Sequence, residues 1–208
     1  MLLSISDIQD KLQQNFDVSR ETISKLEEYV ILLEKWNKKI NLVKYELSID
    51  LWERHILDSA QLIKYIDTNK VVMDLGSGGG LPGIVLSILG IKEITLVEAD
   101  SRKSVFLHQA ARLSNQKVEV KNLRIENLEP VNVDIITSRA LCSIAKFCSL
   151  IASFKNNATI LLLKGRTVFE EIKEAETIWS FDYLLHKSVT SKDSFIVEIH
   201  NLKRKNNE

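Results

Sequence analysis

The chain has 208 residues, of which 45% are hydrophobic and 27% charged, with 28 Lys plus Arg balancing 28 Asp plus Glu. That size fits one domain with a small appendage, and no apolar run approaches the roughly 20 residues of a membrane helix. Zero net charge gives no bulk attraction to nucleic-acid phosphates, although a local patch can supply one inside a neutral whole.

The start of the chain has no basic segment and no small-residue cleavage site, so no signal peptide is expected. The cysteines, Cys142 and Cys148, have the spacing of neither a zinc knuckle nor a redox pair. They are expected as buried thiols on a helix, in a reducing, cytoplasmic compartment.

Residues 1–70 read as three or four helices. Ser6-Asp7-Ile8-Gln9 fits a capping box. Ile23, Leu26, Val30, Leu33 and Ile40 recur at helical spacing, and so do Trp52, Ile56, Ser59, Ile63 and Ile66. The pattern changes at Val71. Val71–Leu75 is a short apolar run ending in a glycine cluster, and helix resumes after Pro82. Strands are predicted at Ile94–Glu98, Val118–Lys121, Val133–Thr137 and Thr159–Leu163. Helices are predicted between and after them at Ser101–Leu113, Ile144–Phe154 and Phe169–Trp179. Tyr183–His186 and Ser194–His200 close the chain as antiparallel strands. This alternation predicts right-handed βαβ units in an α/β fold with a seven-stranded, mostly parallel sheet. The expected division is a helical segment at 1–70 packed on the core, an α/β core at 71–200 and a basic tail at 201–208.

Asp74-Leu75-Gly76-Ser77-Gly78-Gly79-Gly80-Leu81-Pro82-Gly83 joins the first strand to a helix, at the edge where open α/β sheets bind ligands. Three readings compete. Gly78–Gly83 matches the G-x-G-x-x-G of dinucleotide sites, but it begins three residues past the strand and holds an extra glycine and Pro82. Asp74–Gly80 matches D-x-G-x-G-x-G, the pattern of class I methyltransferases, and starts on the strand itself. In that reading Asp74, Gly76 and Gly78 serve S-adenosylmethionine, making room for its methionine and ribose. The third reading is a turn without a ligand, which four glycines in five residues make entropically costly. Glu98 ends the second strand, where a carboxylate can accept both ribose hydroxyls of either cofactor. In Arg124-Ile125-Glu126-Asn127, Ile125 can pack on an adenine and Glu126 or a backbone amide can hydrogen-bond it.

The fourth strand ends Thr137-Ser138-Arg139-Ala140, without the Asn/Asp-Pro-Pro-aromatic motif common to amino-group methylation of bases. Carbon-5 methylation of pyrimidines needs an activated thiolate, and Cys142 lies in no recognisable motif for one. Arg139 stays protonated and cannot act as a base. It can instead grip a phosphate, a guanine edge or the cofactor carboxylate. The chemistry expected is attack by an atom that needs no proton removed, and guanine N7 is such an atom; no metal is called for.

Lys35-Trp36-Asn37, Asn41-Leu42, Arg54-His55-Ile56-Leu57-Asp58-Ser59, the Asp74–Gly83 loop, Ser138-Arg139-Ala140 and Leu163-Lys164-Gly165 occur in that order. Together they resemble the bacterial small-subunit ribosomal RNA guanine-N7 methyltransferases, the methyltransferase G family also called glucose-inhibited division protein B. The likeness spans roughly residues 17–200. It implies a Rossmann-like class I methyltransferase with an N-terminal helical extension, S-adenosylmethionine as donor and a guanine of the 16S decoding-region hairpin as acceptor. Its cofactor contacts fall on Gly76, Leu81, Ile125, Glu126 and Arg139. Gly79 departs from a proline in many members, and Glu98 from an aspartate.

The partner expected is 16S ribosomal RNA or the small subunit, bound by a monomer with no membrane contact. Lys164 and Arg166, after the fifth strand, are candidate RNA contacts. So are Lys38 and Lys39, in a basic stretch with Lys35 and Lys44 beside Trp36 and Tyr45, and so are Arg54 and His55. Spacing of i,i+4 pairs Arg54 with Asp58 and His55 with Ser59. The rival readings are a methyltransferase of another RNA, a protein or a small molecule, an RNA-binding module, and a nicotinamide oxidoreductase.

Overall fold

The computed structural model describes residues 4–129, 132–154 and 157–205. Two helices open it: α1 (Ile5–Phe16) and α2 (Arg20–Ile40). A continuous helical run follows, made of α3 (Ser48–Asp50), a π-helix (Leu51–Leu57), α4 (Asp58–Ala60) and a 3-10 turn (Gln61–Tyr65). Then come β1 (Val71–Leu75), α5 (Gly83–Ile88), β2 (Glu93–Val97), α6 (Ser101–Ala111), β3 (Lys117–Lys121) and β4 (Ile135–Arg139). The chain closes with α7 (Ile144–Ile151), β5 (Thr159–Lys164), α8 (Val168–Glu176), β6 (Trp179–Lys187) and β7 (Phe195–Arg204).

The strands form one sheet in the order β3-β2-β1-β4-β5-β7-β6. β1 to β5 are parallel, and β7 and β6 are added antiparallel. The chain builds outward from β1 to β3 and then returns to place β4 on the other side of β1. A crevice therefore opens at the carboxyl ends of β1 and β4, where the order reverses. One face of the sheet is covered by α5, α6 and the N-terminal helices, whose buried residues include Leu26, Tyr29, Leu33, Trp52 and Ile56. The other face carries α7 and α8, packed through Phe147, Cys148, Ile151 and Ile172.

Several boundaries differ from the sequence reading. The capping box belongs to Ser4 and Asp7, not to Ser6 and Gln9: Ser4 is extended, and Ser6 is already inside the helix. The last helix stops at Glu176 and Trp179 begins β6, because its ring is buried against the sheet core. Lys203 and Trp179 both belong to the final hairpin, where Lys203 pairs with Ser180 and Arg204 with Trp179. The stretch expected as a basic tail thus continues β7 to Arg204, while 206–208 lie outside the described residues.

The N-terminal helices do more than cover the sheet. At the end of α2, Asn37 Oδ1 accepts the Leu42 and Val43 amides and its Nδ2 donates to the Val43 carbonyl. This fastens a turn in which Asn41 is left-handed (φ 44°). From the middle of α2, the Tyr29 hydroxyl donates to the Gly79 carbonyl inside the glycine loop. Tyr29 is fully buried, so its hydroxyl needs such a partner. Tyr29→Phe should lower stability by about 1–3 kcal/mol through the carbonyl left behind. Urea unfolding should show the midpoint falling at constant m-value; an unmoved midpoint would mean the contact holds nothing.

Candidate active site

The glycine loop has little conformational preference of its own, so its shape comes from its surroundings. The Gly76 and Ser77 amides both donate to the Val97 carbonyl at the end of β2 (2.9 and 3.0 Å). Asp74 is fully buried, accepting from Thr137 of β4 (3.0 Å) and from the Gly83 amide at the start of α5 (3.3 Å). Burial raises its pKa to about 6. Asp74 therefore sits behind the loop as a fastener and lines no part of the crevice described below. Glu98 accepts the Gly78 amide through Oε2 and the Asp100 amide through Oε1, both at 2.8 Å. A carboxylate offers about four acceptor sites, so two remain after the loop is held.

Gly76 and Gly78 both have positive φ (71° and 54°). A Cβ on Gly76 would lie 2.7 Å from Leu141 Cδ1, whereas one on Gly78 would meet only its own loop at 3.8 Å. Bare backbone at Gly78 thus faces open space. On one side of it lies a cavity of about 380 Å³ lined by Gly76, Gly78, Glu98, Ile125, Glu126, Leu141 and Arg139, among others. On the other lies a cavity of about 660 Å³ bounded by Asn41–Lys44, His55, Ser77–Gly79, Leu81 and again Arg139. The first combines apolar walls (Val97, Leu123, Ile125, Leu141) with acidic acceptors, which suits a nucleoside.

Arg139, the last residue of β4, borders both cavities and two more. Its neighbour Ser138 donates to the Leu75 carbonyl (2.8 Å), fixing the end of β4 against β1. Ala140 then turns left-handed (φ 52°). Arg139 Nε lies 3.3 Å from Asp58 Oδ2, and Nη2 donates to the Arg54 carbonyl at 2.8 Å. Asp58 Oδ1 accepts from Gln61 (2.8 Å), Thr190 (3.2 Å) and Ser188 (3.5 Å). Burial raises the Asp58 pKa, and the Arg139 charge opposes that shift.

The expected i,i+4 pairs do not form. Leu51–Leu57 is a π-helix, whose i→i+5 bonding widens the turn, and Arg54 takes the i,i+4 partner on its N-terminal side instead of Asp58. Arg54 turns to Asp50 (3.7 Å), is mostly exposed, and borders a cavity of about 450 Å³. His55 is buried; its Nε2 contacts the Lys44 carbonyl at 3.0 Å, and its Nδ1 has no partner among the described residues. Ser59 is likewise buried with its hydroxyl unpartnered.

The basic candidates separate by environment. Lys164 donates to the Cys142 carbonyl (2.6 Å) and pairs with Glu171 (2.7 Å), so it braces the loop after β4 with two of its three donors. Arg166 is exposed, as are Lys35, Lys38 and Lys39, but none of these four lines a cavity described above. Trp36 donates to Gln109 of α6 (2.9 Å) and packs edge-on against Phe106, so its indole is held by the protein. Lys44, Lys103, Arg124 and Lys146, of which Lys103 and Lys146 carried no signal in the sequence, border the nucleoside-sized crevice and its neighbour.

The rRNA small subunit methyltransferase G (GidB) family model matches residues 22–199. The chain belongs to that family. Ribosomal RNA small subunit methyltransferase G of Orientia tsutsugamushi (strain Ikeda) is 47% identical over 196 residues, covering 94% of this chain and 98% of its own length. The same-named protein of Rickettsia felis is 44% identical over 187 residues, covering 89% and 97%. Among solved structures, magnesium protoporphyrin IX methyltransferase from Synechocystis PCC 6803 with bound SAM matches with a TM-score of 0.59 at 14% identity, over 88% of this chain and 97% of that one. Ribosomal protein L11 methylase from Lactobacillus delbrueckii subsp. bulgaricus gives 0.54 at 15%, over 78% and 81%. These two likenesses show a shared Rossmann-like methyltransferase fold, in accord with the α/β class read from the sequence.

One feature of this methyltransferase G site is open to direct titration. Burial, reinforced by Arg139, pushes the His55 pKa from 6.5 down to about 4. The imidazole should stay neutral as pH falls from 8 to 5, and its ring nitrogen NMR shifts should be flat over that range. A midpoint near 6.5 would mean that His55 is solvated and not packed beside Arg139.

Proposed function

We propose that this protein transfers a methyl group from S-adenosylmethionine to N7 of a guanine in 16S ribosomal RNA, acting as a monomer in the cytoplasm on the RNA or the small subunit. The observation that carries the reading is Arg139: a permanently charged donor at the end of β4, where the cavities meet, in place of a base. Membership of the methyltransferase G family supports the substrate class.

The residues present fit the cofactor. Gly78 leaves room for a ligand against bare backbone; Ile125 and Leu141 offer apolar cover for a base; Glu98 and Glu126 offer acceptors for hydroxyl or amino groups. Arg139 has donors to spare for a carboxylate. When bound, S-adenosylmethionine supplies an electrophilic methyl on a sulfonium. What the protein adds is placement. Guanine N7 carries a free lone pair, so no side chain must remove a proton, and the titratable groups nearby are arranged accordingly. His55 is held neutral, Asp58 is engaged by Arg139, and burial keeps both thiols protonated, with Cys148 pushed up to about 12. Holding two reactants in line can supply roughly 7–11 kcal/mol.

Nucleoside mass spectrometry of 16S ribosomal RNA, from cells with and without this gene, tests the reading. The 7-methylguanosine at one site should vanish with the gene and return when purified protein and S-adenosylmethionine are added to the unmodified subunits. Unchanged modification in the deletion would sink it.

Changing Cys142 and Cys148 together to Ala should leave single-turnover transfer within about tenfold, a barrier change under roughly 1.4 kcal/mol. A folded double variant slowed by orders of magnitude, or an RNA adduct on either sulfur, would require a nucleophilic mechanism.

Arg139→Lys should be nearly as damaging as Arg139→Ala, because Lys keeps the charge but loses the planar fork of donors. Losing a charge-assisted pair in a desolvated site costs on the order of 2–5 kcal/mol, so transfer should slow at least about thirtyfold. Single-turnover rates at saturating cofactor and RNA separate this from weak binding. Full activity of the Lys variant beside an impaired Ala variant would reduce Arg139 to a point charge.

A further inference from the structure

We propose that Asp58 is a positioning residue for methyl transfer: it clamps the inner edge of the Arg139 guanidinium and leaves the outer donors free for ligand. This rests on the role given to Arg139 above. A guanidinium has five N–H donors. Asp58 Oδ2 lies 3.3 Å from Nε as an ion pair, and Nη2 donates to the Arg54 carbonyl at 2.8 Å, which leaves at least three donors for a ligand. Arg139 borders four cavities, so a guanidinium swung out of this clamp would face a different one.

The clamp is itself held. Oδ1 of Asp58 is turned away from Arg139 and accepts from Gln61 on the same helical run, and from Ser188 and Thr190 in the connection between β6 and β7. Gln61 in turn accepts the Val189 amide at 3.0 Å. Three separate parts of the chain therefore converge on one carboxylate, whose free oxygen is committed to the arginine. Arg54, the other nearby cation, is exposed and paired with Asp50, so it does not compete for Asp58.

The test is a double-mutant cycle on the full-length protein: wild type, Asp58→Asn, Arg139→Ala and the double variant. Single-turnover methyl transfer to small subunits is measured at saturating S-adenosylmethionine, with cofactor affinity determined separately by calorimetry. Asn keeps the volume and the Oδ1 acceptor but removes the charge. Asp58→Asn should slow transfer at least about tenfold in the wild-type background and less than about threefold with Arg139→Ala. Equal slowing in both backgrounds would mean that Asp58 acts independently of the arginine, and would overturn the proposal; so would a folded Asp58→Asn variant at the wild-type rate. Loss of rate from Arg139→Ala alongside a silent Asp58→Asn defeats this proposal only. A silent Arg139→Ala defeats the underlying reading. Should Asp58→Asn fail to fold, Thr190→Val takes its place. It removes one donor that aims the carboxylate, and its slowing should again disappear when Arg139 is Ala.

Discussion

A largely buried arginine at the end of a strand must be neutralised and hydrogen-bonded, and much of this molecule is arranged around that demand. Removing one partner of such a pair costs about 3–5 kcal/mol, because the other charge stays buried. Asp58 supplies the counter-charge to Arg139, and the Arg54 carbonyl supplies a second acceptor. Both come from the helical run at 48–65, which changes from π to α winding between them. A regular α-helix commits its backbone carbonyls to its own amides. The widened turn at Leu51–Leu57 offers a place where a carbonyl can face sideways to a guanidinium, and π-turns of this kind concentrate at functional sites. The N-terminal helices are thus one wall of the site. They are no detachable appendage.

The glycine loop poses the opposite problem. Four glycines in five residues lose much conformational entropy on ordering and bring no side chains to hold them. Besides the Ser77 carbonyl, which accepts the Gly80 and Leu81 amides within the loop, restraints come from outside: the Val97 carbonyl and Glu98 at the end of β2, Asp74 from beneath and Tyr29 from α2. Glu98 serves twice, since its remaining acceptor sites face the crevice. A carboxylate at that point is therefore valuable without any ligand, because it shapes the loop.

The fold was legible because its signals are local. Val71–Leu75 runs into the glycines, and the alternation of strand and helix after it carries through to β5 within about three residues at each boundary, the fourth strand lying at Ile135–Arg139 and not Val133–Thr137. What could not be read was anything set by distant partners. Trp179 continues a helical pattern yet joins a strand, because the sheet core offers its ring a burial site. Lys164 looks like a free cation at a ligand edge, but Glu171, seven residues on, claims it. Asp58 stood in view, on the buried side of a run marked by Trp52, Ile56 and Ser59. It was paired with Arg54 because i,i+4 spacing presumes an α-helix, and no periodicity announces a π-turn of seven residues. Tyr29 left a usable trace: a hydroxyl on the apolar stripe of Leu26, Val30 and Leu33 has to find a partner.

The charge balance closes the argument. A chain with equal numbers of acids and bases has no long-range pull on RNA, so any attraction must come from how its charges are sorted. Two cations are consumed in largely buried pairs: Arg139 by Asp58 and Lys164 by Glu171. Lys44, Arg124 and Lys146 remain exposed beside the cavities, and Arg54 lies at the mouth of another, tied only by a long contact to Asp50. Pairs held in the interior are shielded from salt, whereas exposed cations at a rim act within about 8–10 Å under physiological ionic strength. Such a rim orients a phosphate backbone that has already come close and adds little to a distant encounter. Exposed cations beside the crevice can thus hold a phosphate backbone at short range, while those elsewhere on the surface, Lys35, Lys38, Lys39 and Arg166 among them, give no such focus, and the largely buried Arg139 is left for the step at the centre.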